Sequence, residues 1–141
     1  MIKSIIFTTL IFSYFFYVDG LSASEQLDCN KAISTIDVNK CLDNNFNAAD
    51  KKLNSIYSDL MTQLNFVEQE VNIPNNTLIK SLKHAQRKWI KYRDDNCEFH
   101  SNLAYGGTGM STYYINCKYK MTTERANELE KILNDYESRG F

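Results

Sequence analysis

The stretch Leu42–Val67, LDNNFNAADKKLNSIYSDLMTQLNFV, decides the fold. Its apolar residues recur at Leu42, Phe46, Ala49, Leu53, Ile56, Leu60, Leu64 and Val67. Steps of four and three set them along one side of a helix with about 3.6 residues per turn. Asp43, Lys51, Lys52 and Asp59 fall on the opposite side. A long amphipathic rod of this kind has one stripe to bury and therefore needs helical neighbours. Ser34-Thr35-Ile36-Asp37 marks its start, where a hydroxyl caps free amides and Asp37 suits the positive end of the helix dipole. Asn72-Ile73-Pro74-Asn75-Asn76 ends it in a turn, and Asn75 or Asn76 is placed to cap the next helix.

Downstream, Leu78, Leu82, Ala85, Trp89 and Tyr92 repeat the same spacing, with Lys80, Lys83, Arg87, Lys88 and Lys91 outward. This second long helix stops before Tyr105-Gly106-Gly107-Thr108-Gly109, where glycine lets the chain turn sharply. A third, shorter helix is expected over Met110–Lys120, with Tyr113, Tyr114 and Cys117 inward; its β-branched and aromatic content also suits a strand. Thr122 or Thr123 then caps a fourth helix buried through Ala126, Leu129, Ile132, Leu133 and Tyr136. The expectation is an all-α bundle of about four helices, two of them long and antiparallel.

At the N-terminus, Met1-Ile2-Lys3 precedes an apolar run from Ile5 to Val18 that is followed at once by Asp19-Gly20. The run is shorter than the roughly 20 residues needed to span a bilayer, and it reads as an export signal over residues 1–23, cut near 20–23. Cys29 lies too far downstream of that cut to carry a lipid, so no stable membrane anchor is expected. The remaining 24–141 make one domain, periplasmic or secreted, of a length that buries about two-thirds of its unfolded surface. The formal net charge of -1 selects neither nucleic acid nor membrane as partner.

Export changes how the four cysteines read, since thiols oxidise outside the cytosol. Of the possible connectivities, the local one, Cys29–Cys41 with Cys97–Cys117, closes a short segment beside a helix end in each case. Each closure is worth roughly 3 kcal/mol on the loop-entropy model. No cysteine pair has the close spacing of a zinc site, and His84 and His100 lack partners at ligand spacing. No metal and no cofactor is therefore expected.

The segment Ala85-Gln86-Arg87-Lys88-Trp89-Ile90-Lys91-Tyr92-Arg93-Asp94-Asp95-Asn96-Cys97 resembles the signature of the LprI-type lysozyme-inhibitor family. Cys29, Cys41, Ala49-Asp50, Leu53-Asn54 and Tyr57 resemble that family's first helix, and Gly106-Gly107, Cys117, Thr122, Arg125 and Leu129 its close. The resemblance covers almost all of 24–141. It implies an exported helical bacterial domain with paired cysteines and, for the founding members, inhibition of a lysozyme.

Two readings of the signature remain open. Trp89 is either a core anchor or a stacking platform. Arg93 either pairs inward with a first-helix carboxylate such as Asp50 or, flanked by Gln86 and Asp94, faces out to hold a partner's carboxylate through its planar fork. Tyr105 and Thr108 on the glycine-rich loop offer an aromatic anchor and a polar contact. Candidate partner-binding residues are thus Gln86, Arg93, Asp94, Tyr105 and Thr108. No nucleophile lies beside a base, Asp94 and Asp95 point in different helical directions, and the glycine loop lacks the lysine of a phosphate loop; an enzyme is not expected. The expected function is steric inhibition of a lysozyme-type muramidase, with a non-inhibitory envelope or effector-neutralising module as the alternative.

Overall fold

The computed structural model describes residues 26–140, so the export signal expected over 1–23 lies outside the described residues. Three long helices dominate: α1 (Thr35–Glu70), α2 (Thr77–Asn102) and α3 (Met110–Ser138). Short 3-10 turns at Cys29–Lys31 and Pro74–Asn76 precede α1 and α2. The chain runs up, down and up, so α1 and α3 lie parallel with α2 antiparallel to both. No strand occurs among the described residues.

The expected third and fourth helices are one helix, α3. The expectation placed a helix start at Thr122 or Thr123, but these hydroxyls do other work. Thr122 is fully buried and its Oγ1 accepts from Arg93 Nη1 at 3.2 Å. Thr123 Oγ1 donates back to the Tyr119 carbonyl at 2.9 Å, a bond compatible with an unbroken helix. With no glycine or proline between Met110 and Ser138, nothing interrupts the run.

The helix ends follow local chemistry. Ser34 Oγ accepts from Asp37 N at 3.1 Å and caps α1. Between α1 and α2, Asn72, Asn75 and Asn76 all take positive φ, which asparagine tolerates better than most residues. Asn76 takes the N-cap position of α2, as expected. In left-handed backbone, Asn76 makes no side-chain cap bond, and buried Glu68 of α1 accepts from the Leu78 and Ile79 amides instead. A carboxylate there also meets the positive end of the α2 dipole.

Leu53, Ile56, Leu60 and Leu64 of α1 interlock with Ala126 and Leu129 of α3, flanked by Leu78, Leu82, Trp89, Leu133 and Tyr136. The α1 stripe is the one expected from periodicity. The α2 stripe is rotated: Ala85 and Tyr92 face solvent, and Gln86, Arg93, Cys97 and Ser101 are buried in their place. Steps of four from Leu78 through Leu82 to Gln86, then Trp89, Arg93, Cys97 and Ser101, keep the period while changing the chemistry. α1 packs mainly on α3, and α2 leans on α3 more than on α1.

Candidate functional site

Two regions hold the residues singled out by the sequence, and they have opposite characters. The first is the seam where α2 meets its neighbours. Arg93 is only 6% exposed. Its Nε and Nη2 reach Asp94 Oδ1 at 2.9 Å, its Nη1 donates to Thr122, and Asp50 Oδ1 of α1 lies 3.8 Å away. The guanidinium carbon sits 5.2 Å from the Trp89 ring centroid and 5.6 Å from that of Phe46. Arg125 of α3 approaches Trp89 from 5.8 Å, donates from Nε to Gln86 Oε1 at 3.1 Å and pairs with Glu128 at 2.7 Å. All the ring distances fall within cation–π range.

Phe46, Arg93, Trp89 and Arg125 therefore form a ladder across three helices, with polar edges closed by Asp50, Asp94, Thr122 and Gln86. Its chemistry suits a clamp. Arginine stacks on aromatic faces while its planar fork still donates at the edge, which a lysine cannot do in the same way. Of the candidate partner-binding residues, Gln86, Arg93 and Asp94 come together here, with Gln86 and Arg93 inside the bundle and Asp94 at its margin.

The second region is the end of the bundle where α2 passes into α3. Disulfides join Cys29 to Cys41 and Cys97 to Cys117, and no cysteine among the described residues is free. Cys97 is fully buried, and its sulfur and that of Cys117 lie 3.7 and 3.9 Å from Met121 Sδ. The bridge ties the last turns of α2 to the first turns of α3 and so fixes the base of the loop Leu103–Gly109. Ser101 Oγ donates to the Met110 carbonyl at 2.9 Å across the same base, and Gly106 supplies a φ of 84° at the turn.

On that rigid base the loop displays Tyr105, 86% exposed, beside Leu103, with Phe99 and Tyr113 exposed on the flanking helices. Thr108 is exposed too. At the neighbouring start of α1, held to α3 by Thr112 Oγ1 and Asn39 Oδ1 at 2.6 Å, Ile33 and Ile36 also face water. Tyr105 and Thr108 thus lie apart from the Arg93 cluster, beyond the end of α2. No cluster of potential metal ligands occurs among the described residues, and no described helix is long and apolar enough to cross a membrane.

Sequence reasoning passed over Asn45 and Glu68. Asn45 is buried in the α1 stripe and exchanges hydrogen bonds with the Leu27 backbone, at 2.8 Å to its Oδ1 and 2.9 Å from its Nδ2. It pins the segment that leads to Cys29. The available signal was position: Asn45 sits beside Phe46 on the inward side, and Glu68 directly follows Val67.

A family model described as "Lysozyme inhibitor LprI" matches residues 28–129. A protein of Rhizobium meliloti (strain 1021), described only as uncharacterized, is 32% identical over 114 residues, covering 79% of this chain and 82% of the relative. No solved structure matches the chain.

Proposed function

The chain belongs to the LprI lysozyme-inhibitor family, and on that premise we propose that it is an exported protein that inhibits a lysozyme-type muramidase by covering its sugar cleft. The observation that carries this reading is the apolar display on the stapled end. Tyr105 and Leu103 project on a loop whose base is covalently closed by Cys97–Cys117. An aromatic anchor held rigidly before contact loses little entropy on binding, which is what a blocking wedge requires. Occlusion needs no reactive group. The family signature serves this role indirectly: Gln86, Trp89, Arg93 and Asp94 lock α2 to α1 and α3, and α2 in turn carries the loop.

The reading is tested by lysozyme turnover on cell-wall substrate with the oxidised protein added in increasing ratio. Inhibition near one to one supports it, and Tyr105→Ala with Leu103→Ala should weaken inhibition at least about ten-fold, as for a central apolar anchor. The same protein reduced and alkylated should lose most of its effect. If the oxidised protein at tens of micromolar neither binds a lysozyme in calorimetry nor slows lysis, the proposal is wrong.

A further inference from the structure

A groove of about 280 Å³ runs between α1 and α2, lined by Asn54, Tyr57, Lys83, Gln86, Arg87 and Ile90. It opens because α2 leans toward α3 and leaves α1 partly uncovered on that side. We propose that this groove binds a carboxylate-bearing sugar residue of an anionic glycan, a site separate from the stapled end.

The chemistry of the lining points that way. At the base, Gln86 is only 8% exposed and its carbonyl is taken by Arg125 Nε, so the amide NH2 is the group left to donate. Asn54 spends its amide nitrogen on Asp50 Oδ2 at 2.9 Å and keeps its carbonyl to accept. A fixed donor beside a fixed acceptor suits hydroxyl and acetamido groups. Tyr57 and Ile90 give apolar walls, against which the C–H face of a pyranose packs. This mixture of apolar walls and a few placed polar groups is the usual make-up of a small-ligand site.

Charge then narrows the ligand. The groove has no acidic residue in its lining, and Lys83 and Arg87 stand at it with no carboxylate in ion-pair range among the described residues. From Thr77 to Arg93 the helix carries six lysines and arginines, at 80, 83, 87, 88, 91 and 93, and no acid. Lys91 differs, being held by Asp95 at 2.9 Å, whose hydrogen bond and charge raise its pKa above the ordinary lysine value. An anion is therefore drawn to Lys83 and Arg87, and the arginine fork fits a carboxylate. At about 280 Å³ and open to solvent along one side, the groove is on the scale of one substituted sugar ring.

From Arg87 to the loop at Leu103 is about 24 Å of helix at ~1.5 Å per residue, so the groove and the loop are separate surfaces. The test uses the oxidised, isotope-labelled protein titrated by NMR with N-acetylmuramic acid, with N-acetylglucosamine, which has the same ring without the lactyl carboxylate, and with a glutamate-rich peptide. Saturable shifts at Asn54, Tyr57, Gln86 and Arg87 with the acidic sugar, at least ten-fold weaker with the neutral one and with the peptide, support the site. Lys83→Glu with Arg87→Glu should remove binding while leaving the thermal melt and any inhibition of lysozyme unchanged. Absence of shifts, equal response to both sugars, or preference for the peptide overturns it; the last result would make the groove a contact for an acidic protein segment.

Discussion

The two seams of this bundle solve the same packing problem with different materials. Between α1 and α3, Leu53, Ile56, Leu60 and Leu64 meet Ala126 and Leu129. Between α2 and its neighbours, Leu78, Ile79 and Leu82 pack on that core near the start of α2, and beyond them two arginines, a tryptophan, a glutamine and a threonine fill the space. The apolar seam gains from area removed from water and is indifferent to direction. The polar seam gains only if each donor meets its acceptor, because a buried group left unpaired costs about 1–3 kcal/mol. The first seam therefore sets how stable the bundle is, and the second sets where α2 sits and in what register. The segment from Gln86 to Asp94 supplies much of the second.

Truncation should hit both seams hard. Leu60→Ala in the apolar seam is expected to lower unfolding free energy by about 4 kcal/mol, the range for a buried leucine whose cavity only partly collapses. Arg93→Ala should cost about 3 kcal/mol. It opens the space between Phe46 and Trp89 and leaves the Thr122 hydroxyl without its donor, but Asp94 and Asp50 are partly exposed and rehydrate. Denaturant melts of the oxidised protein measure both. Arg93→Met is the variant that breaks the comparison: if it equals wild type in stability and in the shifts of Phe46 and Trp89, the clamp is only volume.

Conservative swaps should separate the seams more cleanly. Leu60→Met keeps volume and is expected to cost under about 1.5 kcal/mol. Arg93→Lys keeps charge but gives up the fork and the stack, and we expect about 2 kcal/mol with a displaced Trp89 fluorescence maximum. Equal costs for the two swaps would mean that direction matters no more on α2 than on α1.

The same contrast explains what could be read before the structure. The α1 stripe was legible because leucine, isoleucine and valine announce burial by composition and spacing together. On α2 the spacing was legible and the facing was not. Ala85 and Tyr92 look more apolar than Gln86 and Arg93, yet the latter pair turn inward because Trp89, Thr122 and Arg125 complete their bonding. Those partners come from distant positions, so no local window contains the reason. Thr122 misled in the same way, its hydroxyl suggesting a helix start when its acceptor role lies across the bundle. Glu68 capping α2 from α1 was hidden for the same cause. The glycine-rich loop was visible by composition; that it stands on a covalently closed base depends on the Cys97–Cys117 pairing.

The smallest expected effect is the sharpest test of this view, because it sets two adjacent threonines against each other. Thr122 and Thr123 are identical in type and share one uninterrupted helix. Thr122→Val keeps the shape and removes the oxygen that accepts from Arg93, which leaves Nη1 only its longer contact to Asp50 Oδ1 at 3.8 Å; about 1 kcal/mol should be lost. Thr123→Val removes only a bond back to the carbonyl of its own helix, which that carbonyl's ladder partner makes largely redundant, and should stay within about 0.5 kcal/mol. Helix propensity cancels, since threonine and valine rank together. A double-mutant cycle of Thr122→Val with Arg93→Met should then show coupling near the single-site cost, and the cycle built on Thr123→Val none. Equal losses at both threonines would mean that the seam is held by shape alone, and the register of α2 would need another cause.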